Sequence, residues 1–83
     1  MFTARKIVTY CAGLAFAAGR WSEWLAARDR IFLTAPSPSF RESCLLALRE
    51  VGLSHAADEV LAIESGNERA SDAKIVALVD DFA

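Results

Sequence analysis

Apolar residues recur along this chain at the three- and four-residue steps of a helix. Nowhere do four or more alternate with the β-branched bias of a strand. Ile7, Cys11, Leu14, Ala18, Trp21 and Leu25 follow a 4-3-4-3-4 spacing, and Val8 and Ala15 widen that stripe. Read as one periodic segment, the stripe predicts a long helix from about residue 3 to Leu33, capped by Thr3 and bent near Gly19. Gly13 and Gly19 oppose continuity, at about 1 kcal/mol each relative to alanine. Ser22 offers a cap for a fresh start, so a helical hairpin is the competing reading. Gly13 and Ala17, like Ala15 and Gly19, set small residues four apart, where another helix can approach closely; as a motif that spacing is specific only in membranes.

Thr34-Ala35-Pro36-Ser37-Pro38 ends this first segment. Two prolines so close together stop a helix and hold the chain extended. Ser39-Phe40-Arg41-Glu42 then matches a capping box, in which the serine oxygen accepts from the Glu42 amide and the Glu42 carboxylate reaches back to the Ser39 amide. Leu45, Leu48 and Val51, with Cys44 beside them, make the apolar stripe of this helix. Gly52 stands where a left-handed C-terminal cap belongs, and Leu53 supplies the apolar residue that follows it. Ser54 is expected to cap the next helix. Ala57, Val60 and Leu61 face inward, with Ala56 and Ile63 at the edges and Ser65-Gly66-Asn67 as the stop. A last helix starts between Asn67 and Ser71 and turns Ile75, Leu78, Val79 and Phe82 inward, with Val76 flanking.

The fold expected is therefore all-α: a small bundle of four to five helices in one domain spanning 1–83. Residues 1–33 form a long helix or hairpin, 34–38 a proline loop, and 39–83 a half made of three shorter helices. Composition adds a question. The apolar share is 54%, above the usual 45–50% or so, while a chain of this length buries only about 60–65% of its unfolded surface. A homodimer or a partner-binding face is the expected outlet, although part of the excess is alanine. Charge is polarised too. Residues 1–50 carry seven basic side chains against four acidic ones, and 51–83 carry two against seven. Such polarity can steer a partner or align two subunits head to tail; two solvated faces are the plainer reading.

Candidate chemistry is thin. His55 has Asp58 and Glu59 one turn onward, but no third ligand for a catalytic zinc or fourth for a structural one. No glycine-rich phosphate loop and no nucleophile with a base stand out. The chain is therefore expected to be no enzyme, with no catalytic residue, cofactor or metal. Cys11 and Cys44 sit in apolar settings and read as buried free thiols. Met1 to Gly19 has the outline of a signal peptide: basic Arg5 and Lys6, an apolar run, then small residues. The run is too short to span a bilayer and continues a helical stripe. A cytoplasmic protein is thus expected, with secretion the alternative if residues 1–17 are cleaved.

Two interaction readings remain. Ser54 to Phe82 has the outline of a helix-turn-helix around Gly66, which would make the chain a nucleic-acid-binding regulator. However, Asp72 stands where the second helix needs an apolar anchor, and its other charges are mostly acidic and repel phosphate. The stronger signal is Arg20-Trp24-Arg28, at i, i+4 and i+8 on one helical face. Tryptophan and arginine are the residues most enriched at binding hot spots. Trp21, on the Ile7 stripe, is assigned to the core, and Trp24 to a rim between the arginines. Asp80 and Asp81 lie in the last helical turn, where the dipole disfavours acids, and are taken as further partner-binding candidates. The function expected is a small non-enzymatic interaction module that regulates or inhibits a larger protein. Its partner is a protein, a second copy of the chain among the choices, rather than nucleic acid. By composition alone, small acidic bacterial and phage regulators such as anti-CRISPR proteins are analogous.

Overall fold

The structure, a computed structural model, describes residues 4–34, 36, 38–66 and 68–82, with side chains at 6–34, 36, 38–66 and 73–81. Five helices follow one another: α1 (Ala4–Ala17), α2 (Trp21–Phe32), α3 (Phe40–Glu50), α4 (Ser54–Glu64) and α5 (Glu68–Phe82). No strand occurs among the described residues, so the all-α expectation holds. The Thr3 cap and the inward Phe82 side chain lie outside the described residues.

The single long N-terminal helix does not form. Gly19 adopts φ +71°, a left-handed conformation that costs other L-residues about 1–2 kcal/mol. Its amide donates to the Phe16 carbonyl at 3.1 Å, and the Arg20 amide donates to the Ala15 carbonyl at 2.8 Å. These paired bonds are a Schellman cap, which satisfies orphan carbonyls and turns the chain out of its axis. Ser22 caps nothing: α2 starts at Trp21, and Arg20 before it makes no side-chain cap.

The same motif recurs at Gly52, φ +89°. Its amide donates to Arg49 O at 3.1 Å and the Leu53 amide to Leu48 O at 2.8 Å. This is the predicted cap, with Leu53 partly buried against the core. Because the turn passes straight into α4, Leu53 occupies the N-cap and Ser54 is already helical, without the predicted side-chain cap. At the start of α3, Ser39 Oγ accepts from the Glu42 amide at 3.1 Å, as expected. The reciprocal bond from the Ser39 amide to Glu42 is not made among the described residues; Ser43 Oγ donates instead to Ser39 O at 3.0 Å.

α3 is the central helix, and it buries Ser43, Cys44, Leu45, Ala47 and Leu48. Among the described residues, α1, α3 and α4 contact one another, α2 packs on α3 and α1 alone, and α5 on α1 and α4 alone. α2 and α5 are thus opposite flanks of a molecule measuring 35 × 27 × 17 Å. Ile7, Cys11 and Leu14 of α1 face the core, as do Val60 and Ile63 of α4 and Ile75 of α5. In α4 the buried set is Ala56, Ala57, Val60 and Ile63. Leu61, expected inside, is left exposed because the inward stripe runs along 56, 60 and 63. Gly13 faces α5, where a Cβ would stand 3.8 Å from Val79 Cγ2. The small residues of α1 thus receive a helix of the same chain.

Candidate functional site

Trp24 is 0% exposed, and its indole N–H donates to the Cys44 carbonyl oxygen of α3 at 3.1 Å. A buried indole needs such a partner, because an unpaired buried donor costs about 1–3 kcal/mol. Trp21, three residues earlier, is 39% exposed. The two assignments made from sequence are therefore reversed. The cause is the cap at Gly19. Continued across it at constant phase, the stripe Ile7-Cys11-Leu14 carries Trp21 inward; Leu25, on the same stripe, does pack partly buried against the core. The turn resets the phase, and α2 restarts with Trp24 and Ala27 on its buried face.

The Arg20-Trp24-Arg28 series is likewise divided. The Arg28 guanidinium lies 5.3 Å from the Trp24 ring centroid and 5.1 Å from that of Phe40, sandwiched by cation–π contact. It also donates through Nη2 to Asp29 Oδ1 at 2.8 Å. Arg20 turns away, to Glu23 at 2.9 Å. Asp80 and Asp81 of α5 are exposed and make no ion pair among the described residues. They belong to the flank opposite α2, so the structure does not gather the five candidate residues into one site.

The rings form a file along one side of α2. Phe16 meets Trp21 edge-on at 6.2 Å, and Trp21 meets Trp24 at 5.7 Å. Arg28 bridges Trp24 to Phe40, and Phe40 meets Phe32 edge-on at 5.3 Å. Its middle is buried and its ends are open. Phe16 is 72% exposed and Leu33, beside Phe32, is 79% exposed. At the Phe16 end the Gly19 turn leaves a shallow recess of about 370 Å³, lined by Phe16, Gly19, Arg20, Trp21, Ser22 and Glu23. Sequence reasoning passed over Phe16, Phe32, Leu33 and Phe40. One signal was available: Phe16 is a large aromatic standing off the Ile7-Cys11-Leu14 stripe.

Part of the charge polarity of the sequence is used within the fold. Arg41 of α3 forks onto Glu64 of α4, with Nε–Oε2 at 3.0 Å and Nη2–Oε1 at 2.5 Å. Arg49 of α3 meets Asp58 of α4 at 2.6 Å. Arg41 and Arg49, near opposite ends of a charge-balanced α3, thus reach acids in reverse order along α4, as the antiparallel pairing of the two helices requires. Arg30 of α2 pairs with Glu50 of α3.

His55 is exposed, with Nε2 3.8 Å from Glu59 Oε1, while Asp58 is engaged by Arg49. Among the described residues, no group of three His, Cys, Asp or Glu side chains is placed to hold a metal ion. Cys11 and Cys44 are free and buried. Burial pushes the Cys11 thiol up to about 12, with Cys44 beside it adding to the rise, and burial pushes Cys44 up to about 11. Thiols held so far from thiolate are poor nucleophiles. Among the described residues, no helix is long and apolar enough to cross a membrane.

No known protein family, curated protein or solved structure matches the chain.

Proposed function

We propose that this chain is a small, non-enzymatic protein-interaction module, a regulator or inhibitor that acts by covering a protein surface with the outer face of α2. The observation that carries this reading is the aromatic file open at both ends. Among the described residues, α2 packs on α1 and α3 only, and Phe16, Trp21, Phe32, Leu33 and Phe40 stay exposed along it. Large apolar side chains scattered singly are ordinary; a set gathered on one flank and edged by arginines marks a binding surface. Trp21 replaces Trp24 as the anchor, and Trp24 is the buried strut beneath it. α1 contributes Ile7, Cys11, Leu14 and Ala15 to the core, which favours a chain that keeps this segment in the cytoplasm over one that loses it on secretion.

The test is differential capture. Immobilised wild-type chain retains a protein from lysate that Phe16→Ala and Trp21→Ala chains release, while both variants keep the wild-type melting temperature. Retention of the same protein by both variants removes this face from the function. Loss of binding from a steep rise in salt alone, with DNA as the retained species, moves the reading to nucleic acid.

A further inference from the structure

On the reading of the α2 face as a protein-binding surface, we infer that its occupant is a second copy of this chain, docked antiparallel through α2 across a twofold axis. At about 100° per residue, Ser22, Ala26, Asp29 and Leu33 fall on the outward stripe of α2. Trp21 and Phe32 fall on one flank of that stripe, and Glu23 and Arg30 on the other. All eight side chains are exposed.

These positions are self-complementary. Trp21 and Phe32 lie equally far to either side of the midpoint between Ala26 and Ala27. So do Glu23 and Arg30, and so do Arg20 and Leu33. A twofold axis through that midpoint, perpendicular to α2, reverses the helix but keeps each flank facing its own kind. Trp21 then meets the partner's Phe32 on one side, twice over. Glu23 meets the partner's Arg30 on the other, also twice. Leu33 stands opposite the partner's recess between Phe16, Arg20 and Trp21. Ala26, exposed and small, sits beside the axis and lets the two backbones approach.

Charge decides the register. Glu23 and Arg30 are the outer charges of their flank, of opposite sign, and the antiparallel pairing matches them. A parallel pairing crosses the flanks, setting Glu23 and Arg30 against the partner's Trp21 and Phe32 and leaving both charges unmatched. Their present partners, Arg20 and Glu50, form exposed pairs that hold weakly in solvent, so both side chains are free to re-partner. One pair of twelve-residue helices is expected to bury less than the roughly 800 Å² per partner of a standard interface, the size class of weak and transient association, so a micromolar dissociation constant is expected.

The experiment is sedimentation of four samples of full chain from about 5 to 500 µM, a range bracketing that expected constant: wild type, Glu23→Lys, Arg30→Glu, and the two variants mixed. Wild type is expected to dimerise. Each variant alone places like charges together twice, and its dimer weakens about tenfold or more. In the mixture every contact is again Lys or Arg against Glu, so the heterodimer returns to within about threefold of wild type. Thermal melts establish that both variants are folded.

Recovery in the mixture supports the α2 pairing and its register together. Wild type that stays monomeric throughout, or a dimer indifferent to both substitutions, overturns it. If the monomeric chain still captures a larger protein through Trp21, the second copy is the wrong occupant and the proposed function stands. If it captures nothing, both fall.

Discussion

Two corners of this molecule share one backbone motif and differ in what surrounds it. At Gly52, between α3 and α4, the left-handed glycine is followed by Leu53, which packs against the core and closes the turn. At Gly19, between α1 and α2, the same pair of capping bonds forms, but Arg20 follows and points to solvent. The apolar residues beside this second corner, Phe16 and Trp21, stay outside. The Gly52 corner is finished by its own chain, whereas the Gly19 corner leaves apolar surface over. The apolar excess of the composition is therefore divided between inside and outside. The core takes up most of it, and one flank of α2 gathers five large exposed side chains, while Leu46, Leu61 and Val76 stand exposed on α3, α4 and α5.

The largest predicted effect tests the strut beneath the open corner. Trp24→Ala removes the largest fully buried side chain and leaves the Cys44 carbonyl without its indole donor. Truncation of a buried tryptophan costs about 3–5 kcal/mol, a large part of the stability of a domain this small. Denaturant unfolding should show the chain mostly unfolded or its midpoint sharply lowered. A midpoint within error of wild type would show that Trp24 is not the core anchor.

The glycines come next. Neither has any atom within 4 Å of an added Cβ, so Gly19→Ala and Gly52→Ala should each cost only the left-handed backbone penalty, about 1–2 kcal/mol. Equal losses in chemical denaturation would establish the two corners as the same device. A loss at Gly52 alone would mean that α1 runs on into α2 as one helix, the structure the stripe spacing suggested.

The difference between these corners also explains what was legible in the sequence. Ser39 with Glu42 announced the start of α3, and Gly52 with Leu53 its end, because each signal is local and complete within a few residues. Gly19 carries the same glycine without the apolar follower, so the stripe from Ile7 to Leu25 read through it and put the wrong tryptophan inside. The partner of the Trp24 indole is a main-chain carbonyl twenty residues away, which no side-chain pattern encodes. The charge polarity was visible in the sequence but not its use. Arg41 and Arg49 find Glu64 and Asp58 only once α3 and α4 are antiparallel. The aromatic file was invisible for the same reason, since Phe40 joins Phe32 across the proline loop through tertiary packing.

Gly13→Ala is a control of opposite sign. The added methyl meets Val79 Cγ2 at 3.8 Å, an ordinary contact, and removes a glycine from a helix interior. The gain should be about 0.5–1 kcal/mol, seen as a higher melting temperature. A loss instead would mean that α1 and α5 lie closer than this distance allows.

The smallest stability effect belongs to Trp21→Ala, and the functional reading depends on its being small. Trp21 touches Phe16 and Trp24 edge and face, so its loss forfeits some ring contact, but its side chain anchors no hydrogen bond among the described residues and, being exposed, leaves no enclosed cavity. Substitutions at half-exposed positions of this kind stay below about 1 kcal/mol. Against the 3–5 kcal/mol or so expected at Trp24, the gap between two tryptophans three residues apart measures how completely α2 divides into a buried face and a displayed one. A displayed ring should also be reachable from solvent. Trp21 should account for nearly all acrylamide quenching of the native fluorescence, and the Trp21→Ala chain should emit from a single blue-shifted, quencher-resistant indole. If that emission is red-shifted and readily quenched, Trp24 is wet, and the open face lies elsewhere on the molecule.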